Sequence, residues 1–172
     1  MGPIIKTGAP APNFTLKDLN GEPHTLTEAR GKIVVLVFWS AECPWSAKAD
    51  RSLDRMQAEW EEDVIILAVA SNANESQAEI EEAAGKRGVE TVLLDPGAQT
   101  AKAYGAKITP EVFVIDREGR LRYQGAFNDA TFRQPEPTCN YMWQAVEALL
   151  ADEIPVPGEI PAYGCTIVMP LA

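Results

Sequence analysis

An α/β domain is the fold class this sequence predicts, and three observations predict it. Ile33–Trp39 (IVVLVFW) and Val64–Ala70 (VIILAVA) are unbroken apolar runs rich in β-branched residues, the pattern of strands covered on both faces. Between them Ala49, Leu53, Met56 and Trp60 recur at i, i+4, i+7 and i+11, one face of a 3.6-residue period. The 172 residues suit one domain able to bury a core of its own.

The remaining elements follow in chain order. Residues 9–26 (APAPNFTLKDLNGEPHTL) read as two short strands around Asn20 and Gly21, a dipeptide that readily turns a hairpin. After the strand Ile33–Trp39, the amphipathic helix also places Ser46 on its inward face, with Cys43 at its exposed mouth. Beyond Val64–Ala70, Ser76 and Glu79 are spaced as a capping box and open a charged helix ending near Gly85 or Gly88. Residues 91–94 form a short strand and residues 100–104 a helical turn or two. Ile108, Thr109, Pro110 and Glu111 then lead into a strand over 112–116, a turn at Glu118 and Gly119, and a pairing strand over 121–124. A last helix spans about 140–151, with Met142, Val146 and Leu149 inward. The order is ββ-β-α-β-α-β-(α)-β-β-α, without repeats.

Two segments lie outside that pattern. Residues 128–138 (NDATFRQPEPT) are polar and proline-bearing, which makes them a loop. Residues 1–152 constitute the domain and residues 153–172 a tail, in which Pro155, Pro157, Pro161 and Pro170 surround an apolar island over 162–168. A disordered terminus rarely carries Tyr, Ile and Val together, so the tail is expected to fold back onto the domain.

Composition excludes several functions. Lys and Arg total 15 against 25 Asp and Glu, a net charge of −10, so no basic face is available for nucleic acid. No apolar run approaches the roughly 20 residues of a membrane helix. The N-terminal residues lack the pattern of a secretory leader, which places the chain as it stands in the cytoplasm, or in the periplasm if a leader was removed. Three cysteines, Cys43, Cys139 and Cys165, and one histidine, His24, are too few and too scattered for a disulfide scaffold or a zinc site. No metal or cofactor is expected, and no pattern specifies an oligomeric state.

Cys43 carries the chemistry. It opens the first helix directly after an apolar strand, where unpaired N–H groups and the positive end of the helix dipole favour a thiolate, while the carboxylate of Glu42 opposes one. Phe38, Trp39, Cys43 and Pro44 match the signature F-W-x-x-x-C-P-x-C, with Ser46 in place of the last cysteine. In these residues, and over about residues 9–168, the chain resembles the thioredoxin-like superfamily and within it redoxins of the alkyl-hydroperoxide-reductase and thiol-specific-antioxidant type. The resemblance implies a thioredoxin-like fold with an N-terminal hairpin extension. It also implies thiol–disulfide exchange with a disulfide-containing protein or a small thiol such as glutathione.

The resemblance further assigns Thr109 and Pro110 to the superfamily's cis-proline loop, facing the nucleophile and leaving the backbone of Thr109 free for an extended substrate. Trp39 is typical beside the thiol, and Trp45, at an exposed helix start, would form an apolar lip. The run Tyr163, Gly164, Cys165, Thr166, Ile167 is similar to a C-terminal G-C-[STN]-I motif in a branch of redoxins with one cysteine in C-P-x-x. It marks Cys165 as a distal resolver of Cys43. Cys139 and an external thiol remain alternatives.

Ser46 limits the mechanism, since its hydroxyl can donate to the Cys43 sulfur but cannot accept the disulfide. The expected catalytic set is therefore Cys43, Cys165 and Ser46, with Trp39, Pro44, Trp45, Thr109 and Pro110 binding substrate. A thiol-dependent peroxidase is an alternative, although Leu36, Ser40 and Pro110 stand where a peroxiredoxin would place Pro, Thr and Arg. A redox-inactive binding domain is another. A copper chaperone would need a cysteine at Ala47.

Overall fold

The computed structural model describes residues 5–171. Its strands are β1 (Thr15–Asp18), β2 (Pro23–Thr25), β3 (Ile33–Trp39), β4 (Val64–Ala70), β5 (Val92–Leu94), β6 (Ile108–Thr109), β7 (Glu111–Ile115), β8 (Leu121–Gly125), β9 (Glu159–Ile160) and β10 (Cys165–Thr166). Its helices are α1 (Pro44–Trp60), α2 (Gln77–Arg87), α3 (Gln99–Tyr104) and α4 (Tyr141–Leu150). Eight strands form one sheet in the order β2-β1-β5-β4-β3-β7-β8-β9, and β10 pairs with β6 in a separate two-stranded ladder.

The apolar run of β3 puts it at the centre, parallel to β4 and antiparallel to β7. Its side chains alternate between two cores, as the two-residue period of a strand requires. Ile33, Val35 and Val37 pack with Ala49, Leu53, Met56 and Trp60 of α1 and Met142, Val146 and Leu149 of α4. Val34, Leu36 and Phe38 face Phe14, Ala101, Tyr104, Phe113 and, from the tail, Ile167. The inner faces expected of α1 and α4 are thus the ones that bury. Trp60 and Trp143 stack between those helices with ring centroids 4.9 Å apart.

The hairpin at the N-terminus does more than precede the sheet. β1 pairs antiparallel with β2 and also with β5, so the hairpin extends the sheet's edge. Helix α2 opens on the capping box of Ser76 and Glu79 and ends at Gly88 rather than Gly85. Asp95 caps the short α3, its carboxylate accepting from the N–H groups of Thr100 and Ala101 at 3.0 Å each. Residues 128–138 contain no helix or strand, and Asp129 organises them by accepting from Thr138, Cys139 and Gln134.

The tail lies along the domain. β9 adds to the sheet beside β8, parallel to it. Farther on, Ile167 is 3% exposed within the core, and Val168 exchanges hydrogen bonds with Asn72 and Ala73. Two short strands in this segment went unmarked in the sequence, because two-residue pairings leave no periodicity to read. Among the described residues no helix is long and apolar enough to cross a membrane.

Gly125 shows how tightly the tail is docked. Its φ of +125° lies in the region that favours glycine, and an added Cβ would sit 1.7 Å from the Ile160 carbonyl oxygen. Gly125→Ala is expected to detach β9 and cost about 1–3 kcal/mol for the strained backbone alone. Thermal unfolding should show a drop of roughly 2–4 °C per kcal/mol; an unchanged midpoint would mean that the β8–β9 pairing is not needed.

Candidate active site

Strand β3 delivers the chain to the site and α1 carries it away. Trp39 ends the strand, Ser40 to Glu42 form the bend, and Cys43 is the N-cap of α1 with Pro44 in the first turn, where a missing N–H costs nothing. Across from it, Thr109–Pro110 is a cis peptide, as the resemblance implied. As a thiol, Cys43 donates to the Thr109 carbonyl oxygen at 3.3 Å.

The backbone of Thr109 is not free for a substrate. β10 is paired with it in the register Cys165↔Thr109 and Thr166↔Ile108, so the chain's own tail occupies the place an extended substrate was expected to take. This pairing brings the Cys165 sulfur to 2.6 Å from that of Cys43. Both cysteines are free thiols. Gly164 makes the approach possible, since a Cβ there would lie 2.0 Å from the Thr109 carbonyl oxygen.

The tail also covers Cys43. Cys43 is 2% exposed rather than standing at an open helix mouth, whereas Cys165 and Cys139 are partly exposed. Cys139 belongs to the Asp129 loop, where its sulfur accepts from Gln144 Nε2 at 3.2 Å.

Electrostatics separate the two paired thiols. Burial pushes the Cys43 thiol up, but hydrogen bonds with Cys165, the Ser46 N–H, Thr109 and the Trp45 N–H outweigh it and hold Cys43 below its ordinary value. The Thr109 hydroxyl itself is buried and has no hydrogen-bond partner. Cys165 is pushed up to about 12 by burial, by its bond to Cys43, by the Cys43 charge and by Glu75. Of the two thiols, Cys43 is therefore the one that ionises first, with the proton retained on Cys165.

Ser46 is fully buried on the inward face of α1, but its hydroxyl is used differently from the expectation. It accepts from the Ser40 N–H at 3.2 Å, and it is the Ser46 backbone N–H that serves the Cys43 sulfur. Trp39 is also wholly buried, so it supports the site from beneath and does not meet a substrate. Pro44 is exposed, and Pro110 lines a small cleft together with Trp45, Lys48 and Tyr163. Trp45 is half-buried, edge-on to Tyr163 at 5.2 Å and covered by the Lys48 ammonium at 5.5 Å, so its lip is made jointly with the tail.

Sequence reasoning missed a polar cradle under the bend. Arg87, in the last turn of α2, donates to the carbonyls of Ser40 and Ala41, lies over the Trp39 ring at 5.1 Å, and pairs with Asp50 at 3.5 Å. Asp50, 3% exposed, accepts from Trp39 Nε1 at 2.8 Å, and burial raises its pKa against those partners. Glu75 accepts from the Ser40 hydroxyl at 2.6 Å and the Glu42 N–H at 3.0 Å, and the Ser40 oxygen in turn accepts from the Cys43 N–H at 3.2 Å. The only sequence signal was charge in otherwise buried neighbourhoods, at Asp50 on the inward side of α1 and Arg87 at a helix end.

The comparisons with known proteins place the fold and the family. The AhpC/TSA family model matches residues 7–124. A protein named thiol-disulfide oxidoreductase ResA from Geobacillus thermodenitrificans is 33% identical over 123 residues, covering 69% of this chain and 68% of its own. A crystal structure described as a hypothetical protein from Sinorhizobium meliloti superposes with a TM-score of 0.88 at 28% identity, covering 98% of this chain and 97% of that one. A structure titled a putative thiol:disulfide interchange protein DsbE, from Chlorobium tepidum, gives a TM-score of 0.65 at 30% identity over 70% of this chain and 84% of its own. The fold and the thiol-bearing helix start define a thioredoxin-like oxidoreductase. Within that class, the chain belongs to the AhpC/TSA family.

Three measurements probe the site. Ser46→Ala strands the buried Ser40 N–H and should cost about 1–3 kcal/mol in denaturant unfolding; a neutral result would show that the bend does not depend on it. Gly164→Ala should lift β10 and speed Cys43 alkylation roughly tenfold, the factor for ~1.4 kcal/mol of local opening. An unchanged rate would mean that the tail does not cover Cys43. Glu111, beside Pro110, is raised by burial from 4.5 to about 7 despite the Lys107 N–H. Its contribution to stability is full below pH 4.5 and is lost as pH rises through about 7. Glu111→Gln should flatten that slope in pH-dependent unfolding, and a slope identical to the parent's would assign it to other groups.

Proposed function

We propose that the protein performs thiol–disulfide exchange through a redox couple made of Cys43 and Cys165, with Cys165 taking the place of the second thiol of a C-x-x-C motif. The observation that carries this reading is the 2.6 Å separation of the two sulfurs across the β6–β10 pairing. A disulfide needs a sulfur separation of about 2.05 Å, so only a small closure is required. Relatives named thiol-disulfide oxidoreductase support the same chemistry.

Closing the couple bonds Cys43 Sγ to Cys165 Sγ. The two electrons pass to a disulfide-bearing partner, which leaves as two thiols with the protons given up by the enzyme. The Cys43 thiolate makes and breaks the internal bond, because the Cys165 thiol and the N–H groups of Trp45 and Ser46 stabilise its charge. Cys165 loses its proton once the Cys43 charge is consumed, since that charge and the hydrogen bond to it are among the causes that hold the proton on. No external thiol is needed to release the partner, because Cys165 and Cys43 close on each other; an external thiol reductant then returns the couple to the dithiol, and Cys139 stays outside the cycle.

Mild oxidation with oxidised glutathione followed by intact mass and peptide mapping tests the proposal. The expected product lacks two hydrogens, contains a Cys43–Cys165 link and leaves Cys139 alkylatable. A stable glutathione adduct on Cys43 with Cys165 free, or a link through Cys139, would overturn it.

A further inference from the structure

Two members of a redox couple rarely meet a partner equally, and here the asymmetry runs against chain order. Cys43 is 2% exposed, enclosed by the Thr109 carbonyl, the first turn of α1 and the tail. Cys165 is partly exposed and sits on a two-residue strand that follows Tyr163 and Gly164. A thiolate attacking a disulfide approaches one sulfur from the side opposite the other, so access to each sulfur decides which is hit. The donors converge on Cys43, in the N–H groups of Trp45 and Ser46 at the helix start, which favours it as the leaving thiolate.

Resting on the Cys43–Cys165 couple proposed above, we propose that the oxidised protein accepts electrons from a partner thiol at Cys165, so that the mixed disulfide forms on the tail cysteine and Cys43 is the leaving group. The partner thiolate attacks Cys165 Sγ, the Cys165–Cys43 bond breaks, a partner–Cys165 disulfide forms, and Cys43 departs as a thiolate held by the helix start. A second thiolate then attacks the partner sulfur of that mixed disulfide and expels Cys165, which takes up a proton released by the attacking thiols. Two thiols have become one disulfide, and the enzyme is left reduced, with a thiol at Cys165, a thiolate at Cys43 and the second proton released to solvent. A disulfide-bearing oxidant of the glutathione disulfide class restores the couple.

This reverses the roles implied by the resemblance, in which the helix-start cysteine meets the partner and the other resolves. The tail becomes the partner-facing element. Cys43, sealed beneath it, recloses the ring by attacking Cys165 whenever the mixed disulfide persists.

The experiment takes the full chain, oxidised and shown by mapping to carry the Cys43–Cys165 link. It is mixed with reduced glutathione, quenched in acid over a series of times, treated with a maleimide that still reacts in acid, and mapped. Glutathione on Cys165 with the maleimide on Cys43 should exceed the opposite pattern by roughly tenfold or more. A predominance of glutathione on Cys43, an even mixture, or reduction without a Cys165 adduct at any quench time would overturn the assignment while leaving the couple intact. Failure to obtain the starting link would instead overturn the couple.

Discussion

The pairing of Cys165 and Thr166 with Thr109 and Ile108 is the interaction on which the rest of the site depends. Two residues of strand bring a tail cysteine 122 positions along the chain to within 2.6 Å of the helix-start sulfur. So short a ladder cannot hold itself, and it does not have to. Ile167 inserts into the core on its C-terminal side, Val168 is bonded to Asn72 and Ala73, and upstream β9 is fastened to β8. The thiol pair is therefore a product of tertiary packing rather than of a local motif, which is how a chain with serine at the usual second position retains two sulfurs in contact.

Charge management follows from that contact. A thiolate buried under a strand would be expensive without donors, and the site supplies them from the start of α1 and from Cys165 itself. Beneath, Arg87 binds the two carbonyls that would otherwise point out of the bend, with Trp39 and Asp50 holding its guanidinium. Glu75 fixes the Ser40 hydroxyl and adds negative charge near Cys165, which keeps that thiol protonated while Cys43 is charged. The cradle shapes the bend and the carboxylate biases the proton, so the two cysteines differ although they touch.

Much of this was legible in the residues and some was not, for physical reasons. The apolar runs of β3 and β4, the heptad-like face of α1 and the capping box of α2 are local patterns, and each appears where it was read. Cys43 at a helix start and the proline after Thr109 were equally local. By contrast, the burial of Cys43, the occupation of the Thr109 backbone and the Arg87–Asp50 pair arise from contacts between distant segments, which no spacing encodes. Ser46 illustrates the boundary. Its inward position followed from helical period, but the partner of its hydroxyl depended on the conformation of the bend at Ser40.

The contact between the two sulfurs makes Cys43 the first to ionise and holds the proton on Cys165. Ultraviolet thiolate absorbance, titrated against pH in reduced protein lacking Cys139, with and without Cys165→Ser, tests it most directly. One thiolate is expected below the ordinary cysteine range, a second only at strongly alkaline pH, and the first should shift upward when the Cys165 thiol is removed. Two thiols titrating together near the ordinary value, or a Cys43 titration unmoved by Cys165→Ser, would contradict it.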